Sequence, residues 1–325
     1  MNISIEKSKP LSKTQLEYVR RINNAIEFIE RNLDDPIQLN DVAQASHFSP
    51  YHFHRLFHGL VGETVNEYIL RKRMERSVKR LLYEPKLSIT EVAESGGFSS
   101  SANFSKAFKL YFGVSPSKLR NPNTSENSKI GKLYSKYGKV FNPKDLYSQF
   151  ITNSGIFNPD KLKEILMNIK VEEMQEQNIA YLSSPDGYEL DSVFSTWEKV
   201  LQWGENKGLD TQLDKRFAIC HDNPSITPEN KCRYDAAIVV KSDVEIIFPY
   251  GRSSIPAGKY AVAYFKDEAA KINHFMIELC SHWFPSSGFE PDNYPVLFNY
   301  LNDVKTDEFV EMNIYIKLKD LKVEK

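Results

Sequence analysis

The chain has 325 residues, 41% hydrophobic, 12% aromatic and 26% charged, with a formal net charge of −1. That length exceeds one ordinary domain, and that composition excludes a disordered or fibrous chain. The near-neutral total hides an asymmetry: residues 1–140 hold 22 Lys+Arg against 14 Asp+Glu and the remainder 20 against 29, as expected for a polyanion-binding module joined to one that avoids polyanions.

No apolar run approaches the roughly 20 residues of a membrane helix. The opening MNISIEKSKP carries charges with no apolar stretch behind them, which reads as no secretory signal. Cys220, Cys232 and Cys280 share no close spacing and read as buried, reduced thiols in a cytoplasmic protein.

Residues 14–33 predict an amphipathic helix, with Val19, Ile22, Ala25, Ile26 and Ile29 on one face, ended by Asp34-Asp35-Pro36. A repeat follows. Leu39-x-x-Val42-Ala43 and Phe48-Ser49 return 50 positions later as Ile89-x-x-Val92-Ala93 and Phe98-Ser99; beyond one extra residue Phe53/Phe104, Arg55/Lys106, Phe57/Phe108 and Gly62/Gly113 pair at 51. A short helix with a small Ala, a tight turn with an aromatic plug and a second amphipathic helix make a helix-turn-helix. Two are predicted, at 39–60 and 89–112. A helix capped by Thr64 and running to about Leu82 joins them, with Arg71, Lys72, Arg73, Arg76, Lys79 and Arg80 mostly outward; Ser115-Pro116 opens a short closing helix. The joining helix, about 28 Å long at 1.5 Å per residue, suits the ~34 Å between successive major-groove faces. One copy of the chain can then place two recognition helices without two-fold symmetry.

Those helices are expected at 49–58 and 100–111. Periodicity exposes Tyr51, His54, Arg55 and His58 on the first and Ser101, Ala102, Asn103 and Lys106 on the second. Arg55 can fork onto guanine and Asn103 can pair with adenine. Ser49, Ser99, Ser100 and the basic residues of the joining helix suit phosphates. His54 and His58 lie one turn apart, but no Cys or carboxylate completes a ligand set, so no metal is expected.

Residues 121–168 read as a polar, basic tether, with short helices over 143–168. Past 168 a second repeat appears: Trp203-x4-Gly208 returns as Trp283-x4-Gly288, and Ala180-Tyr181-Leu182 echoes Ala263-Tyr264-Phe265. Each half predicts strand, helix, strand, strand: 178–183, 190–206, 216–221 and 234–241, then 259–266, 269–284, 295–302 and 310–318. The fold class is therefore multidomain: an all-α tandem helix-turn-helix domain (1–120), a linker (121–168) and an α+β domain (169–325) with a groove at the junction of its halves. Tyr181, Tyr188, Trp197, Tyr234, Trp283, Phe298 and Tyr300 are the candidate ligand-binding residues there.

Residues 14–120 resemble the DNA-binding domain of AraC/XylS-type bacterial transcription regulators, through VAQASHFSPYHFHRLFHGLVG, VAESGGFSSSANFSKAFKLYFGVSPSKLR and the Gly113-x-Ser115-Pro116 close. The resemblance implies base contacts from Tyr51, His54 and Arg55, and from Ser101, Ala102, Asn103 and Lys106. Ala102 departs from the longer polar reader common there and leaves a thymine-methyl contact. Residues 169–320 resemble the GyrI-like effector-binding domain of Rob-like and multidrug-sensing regulators, through FAICHDNPSITPENKCRYDAAIVV, IPAGKYAVAYF and SGFEPDNYPVLFNYLND. Many relatives carry a glutamate on the strand before the final hairpin, giving the groove a charge for cations. Here Phe298 stands in its place, with no acid between 295 and 302, so a neutral or amphipathic guest is expected.

These resemblances imply a sequence-specific transcription regulator, expected to be an activator, partnered by double-stranded promoter DNA, RNA polymerase and a small organic ligand. No cofactor, membrane or catalysis is expected, and dimerisation is left open. The alternatives are that the second domain is a protein-interaction module, or a small-molecule hydrolase, which wants a general acid or base at the groove.

Overall fold

The computed structural model describes residues 11–120 and 169–322, apart from 225, 303–306 and 308. The expected tether, with its short helices, lies outside the described residues. The chain divides into two compact units, Met1–Phe157 and Asn158–Lys325.

In the first unit the described helices are α1 (Lys13–Arg31), α2 (Leu39–Ala45), α3 (Pro50–Val61), α4 (Val65–Tyr83), α5 (Ile89–Glu94), α6 (Ser101–Phe112) and α7 (Pro116–Arg120). Both predicted helix-turn-helix units are present, as α2–α3 and α5–α6. Their turns are built alike. Phe48 N–H donates to the Ala43 carbonyl and Phe98 N–H to that of Ala93; the residue before each Phe, His47 or Gly97, is left-handed at φ 57° and 68°. This is the helix stop in which a left-handed residue lets the chain fold back on its own carbonyls. Ala43 and Ala93 are fully buried, so no bulk separates the helices. Phe48–Phe53–Phe57 and Phe98–Phe104–Phe108 form matching runs of ring contacts, with centroids 5.2–6.4 Å apart.

The repeat is longer than the sequence reading found. α1 and α4 each span 19 residues, and each opens on a capping box, Ser12 with Gln15 and Thr64 with Glu67, at an offset of 52. Ile22, Ala25, Ile26 and Ile29 are matched by Met74, Ser77, Val78 and Leu81, all buried. Each motif is therefore a three-helix unit, stabilised at its entrance by a cap that contributes about 1 kcal/mol. Each supporting helix also caps its own motif's turn region: Arg21 donates to the His47 carbonyl at 3.1 Å and Arg80 to that of Ser95 at 2.6 Å.

The second unit is one antiparallel sheet with helices. Its elements are β1 (Ile169–Met174), β2 (Gln177–Ser183), α8 (Leu190–Asn206), β3 (Arg216–Cys220), β4 (Tyr234–Val239), β5 (Gly251–Ile255), β6 (Gly258–Asp267), α9 (Ile272–Glu278), a π-helical turn (Leu279–Trp283), α10 (Phe284–Ser287), β7 (Phe289–Pro291), β8 (Val296–Tyr300) and β9 (Val310–Asp320). The strand order is β1-β6-β9-β8-β3-β4-β2-β5, with β7 pairing β9. The two strand-helix-strand-strand halves are thus present and meet at β3–β8. The predicted helix 269–284 is broken, however. Pro285 has no N–H and its ring crowds the carbonyl four residues back; the chain passes it through a π turn.

β1, β5 and β7 were not predicted. β1 and β5 make a strand exchange: each precedes one half in sequence but pairs at the edge of the other, β1 on β6 and β5 on β2. Only two residues join β1 to β2, and two join β5 to β6. In a flat sheet these partners would stand about 29 Å apart at 4.8 Å per strand, whereas three Cα steps reach about 11 Å. The sheet must curl until its edges approach. Its inner face, with Ile179, Phe217, Ile219, Ala237, Ile255, Tyr260, Val262 and Leu297, closes into one apolar cluster. On the outer face α8 packs Val193 and Val200 over Ala180, Ala218, Ala236 and Ile238.

Candidate DNA interface and ligand site

The two candidate reading helices are not equivalent. On α6 the expected face is open: Ala102, Asn103 and Lys106 are exposed and Ser101 is half-buried. Ser100 caps the helix by accepting from Asn103 N–H at 3.1 Å, and the Asn103 amide donates to Ser99 Oγ at 3.1 Å. Asn103 is therefore held by both serines.

On α3 the expectation is corrected. His52 to Phe57 are buried without a break, leaving His54 5% and Arg55 8% exposed; Ser49 is buried too, and Tyr51 and His58 are half-buried. A helical wheel assumes one covered face, and α3 is covered on more than one. The Nε of Arg55 is buried without a hydrogen bond. Burial, then the nearby charges of His58 and Arg55, push the His54 imidazole down to about 4, so it is neutral at physiological pH.

That shift predicts a pH dependence. The unfolded chain takes up a proton near 6.5 while the folded His54 refuses it until about 4. The unfolded state then binds more protons, so stability falls with acid across that window, by roughly 2–3 kcal/mol at pH 4.5. Urea unfolding at pH 7 and 4.5 is expected to show the wild type losing about 2 kcal/mol more than His54→Gln; equal losses would show that His54 is not held neutral.

The basic face of the joining helix is corrected as well. Arg71 binds Glu63 and Glu75, Lys72 binds Glu30, and Arg76 binds Asp34. Arg73 donates to the carbonyls of Leu33 and Asp35, and Arg80 to that of Ser95. Of the six, Lys79 is the one left exposed without a bond to the described residues. The loop after α1 and the glutamates around α4 consume the charges that periodicity had assigned to phosphates.

In the second unit five of the seven candidate ligand residues come together at the β3–β8 seam. Tyr188, Trp197, Tyr234, Phe298 and Tyr300 share one cluster with Ala180, Ala218, Cys220 and Ala236. Ring centroids lie 6.0 Å apart for Tyr188–Tyr234 and 6.4 Å for both Trp197–Tyr300 and Phe298–Tyr300. The indole of Trp197 donates to the Tyr234 hydroxyl at 2.8 Å, and Tyr188 Oη donates to the Asp222 carbonyl at 2.6 Å. Burial pushes the Tyr234 and Tyr300 hydroxyls well above the usual phenol range, so both stay protonated.

The other two do not belong. Strand alternation turns Tyr181 to the inner face, where its ring fills the space a Cβ on Gly251 would occupy, 2.4 Å away, and lies beneath Arg233. Trp283 is buried on the broken helix of the second half, against Phe284. Two polar clusters lie apart from these five rings. Asp235, on the inner face, already accepts from Ser183 at 2.5 Å, His221 at 2.6 Å and Arg233 at 2.8 Å. Ser281 and His282 are 2.8 Å apart but buried in the π turn, with the serine on the Ile277 and Glu278 carbonyls. The register of β2 with β4 brings Ser183 to Asp235, a pairing no local motif announces.

Two family models match different parts of the chain. A family model described as GyrI-like small molecule binding domain matches residues 167–319, and one described as Helix-turn-helix domain matches 42–122. The HTH-type transcriptional activator AarP of Providencia stuartii is 36% identical over 106 residues, 33% of this chain and 78% of that protein. The Msm operon regulatory protein of Streptococcus mutans is 40% identical over 116 residues, 36% of this chain, which spans only 39% of that protein's length. A crystal structure of a transcriptional regulator with an AraC-type DNA-binding domain, from Chromobacterium violaceum, is 27% identical over 31% of this chain and 89% of that one, with a TM-score of 0.30. With its paired three-helix motifs followed by a GyrI-like domain, the chain belongs to the AraC-type family of transcription regulators.

Proposed function

We propose that this chain binds promoter DNA sequence-specifically in the cytoplasm, engages RNA polymerase as an activator, and adjusts that activity to a small uncharged aromatic molecule held at the β3–β8 seam. The observation that carries the DNA reading is the duplicated turn: two motifs with the same Phe-to-Ala bond and the same left-handed residue, in a unit of basic sequence. α6 reads with Ser101, Ala102, Asn103 and Lys106, and Ser99 and Ser100 orient it. α3 contributes Tyr51; His54 and Arg55 contribute only in a conformation that uncovers them. A single copy carries both readers.

The full chain is expected to bind a duplex selected from a random pool with an affinity that falls steeply with salt, as counterions are released. Asn103→Ala and Lys106→Ala should each weaken that duplex about 5- to 150-fold, the 1–3 kcal/mol of a good base contact, measured by fluorescence anisotropy. If both variants keep the wild-type preference between selected and scrambled duplexes, α6 is not the reader. The proposal also makes the chain a non-enzyme. Phe298 stands where an acid would serve, and the one buried carboxylate on β4 is saturated by three donors on the opposite face. Turnover of an electrophile by the full chain, abolished by a change at Tyr234 or Tyr300, would contradict that.

A further inference from the structure

The two motifs break their repeat at one place, and that place is where they meet. In the 52-residue register of the supporting helices Arg21 corresponds to Arg73. Arg21 is turned onto its own motif: Glu17, one helical turn back, holds it at 2.8 Å, and it donates to the His47 carbonyl. Arg73 has Ile69 where Glu17 would stand, and in its motif Arg80 takes over the bond to the turn region, at the Ser95 carbonyl. Arg73 reaches across instead, donating to the carbonyls of Leu33 and Asp35 at 3.0 and 2.7 Å. Those residues follow α1 and belong to the first motif, and Arg76 ties the same loop through Asp34 at 3.0 Å. Gly97 completes the change. Its counterpart is His47, and a Cβ on Gly97 would fall 2.6 Å from the Arg73 guanidinium and 2.7 Å from the Leu33 carbonyl. The guanidinium, the first motif's loop and the second motif's turn therefore touch, just before Ser100 caps α6.

We infer that Arg73 is a positioning residue that clamps the two motifs in one relative pose, so that the chain reads two DNA segments only at a fixed spacing. The clamp presupposes the two-reader binding proposed above and sets its spacing. α4 determines how far apart the motifs stand along its axis. The guanidinium, bonded to two backbone carbonyls, adds a second attachment off that axis, which is what resists rotation of one motif about the other. Hydrogen bonds from a charged donor are the strong kind, so the strut is stiff as well as short.

The full chain and a duplex selected from a random pool test it. Hydroxyl-radical footprinting locates the two protected segments, and one base pair is then inserted between them. That insertion moves one segment about 3.4 Å along the axis and turns it about 35°, past the reach of a rigid pair of readers. By fluorescence anisotropy the wild type is expected to lose about 100-fold in affinity, within what one good base contact is worth. In Arg73→Ala that spacing penalty should shrink to about 10-fold or less. The penalty for base changes inside the segment read by α6 should stay as in the wild type, a split that general loosening of the fold would not produce. Should Arg73→Ala fail to fold, Asp34→Ala carries the test: its side chain is half exposed and its loss removes the Arg76 arm of the same clamp, so its spacing penalty should shrink too. A spacing penalty unchanged in the variants that fold, a wild type indifferent to the insertion, or a single protected segment each overturns the inference, while base changes that still cost affinity leave the DNA reading standing. If no duplex is enriched, the clamp falls together with the DNA reading beneath it.

Discussion

Gly97→Ala is expected to destabilise the helical unit by about 3 kcal/mol, lowering its thermal midpoint by roughly 10–15 °C. Two effects add. Gly97 is left-handed at φ 68°, where any side chain costs about 1 kcal/mol. Its new Cβ would also fall 2.6 Å from the Arg73 guanidinium and 2.7 Å from the Leu33 carbonyl. Arg73 would have to leave, and it holds the Leu33 and Asp35 carbonyls at 3.0 and 2.7 Å. Unmaking hydrogen bonds to a charged group costs about 1.5–3 kcal/mol. Gly113→Ala is the control. It is left-handed too, at φ 76°, but a Cβ there meets nothing within 4 Å, so it should lose only about 1 kcal/mol. Calorimetry of both variants separates the terms; equal losses would show that the contact between the second turn and the Leu33 loop carries no energy.

Arg71→Met should cost about 3 kcal/mol for a different reason. Arg71 is 6% exposed, forks onto Glu63 at 2.7–3.0 Å, reaches Glu75 at 3.0 Å and lies 4.8 Å over the ring of Tyr68. Methionine fills part of the volume but leaves two half-buried carboxylates without their cation, which is the expensive way to break an ion pair. Adding Glu63→Gln and Glu75→Gln should restore much of the loss. Arg71→Lys should lose an intermediate amount, since one ammonium cannot fork onto one carboxylate while reaching another. Urea unfolding of the set decides it. A triple variant no more stable than Arg71→Met would place the energy in packing on Tyr68 instead.

The repeats made most of the architecture legible. In-register Phe, Ala and Gly positions located both motifs, because those residues answer to a turn geometry that must occur twice. The helices α1 and α4 were both legible, but their equivalence was not, because packing asks only for apolar bulk, and Ile22 against Met74 or Ala25 against Ser77 leaves no shared identity. Their signal was the pair of capping boxes at Ser12 and Thr64. Periodicity failed for His54 and Arg55 because it reports the first covered face and is silent on a second. The arginines of α4 misled for a related reason: charge on a helix says nothing about whether carbonyls of a distant loop will claim it. In the second unit, β1 and β5 are largely exposed strands at the ends of the sheet and carry little of the alternation that reveals a half-buried strand. Tyr181 was misassigned by one step of strand parity. The small floor of Ala180, Ala218 and Ala236 tells which parity faces α8, but only once the register is known.

The exchange of β1 and β5 has a mechanical consequence. Each half lends the other its boundary strand, so neither can rock away from its twin without tearing a ladder of backbone bonds. The guest proposed for the seam would therefore have no clamshell to shut. Any message such a guest sent would have to travel as a change of twist in one continuous lattice, or as a shift of the helices lying upon it.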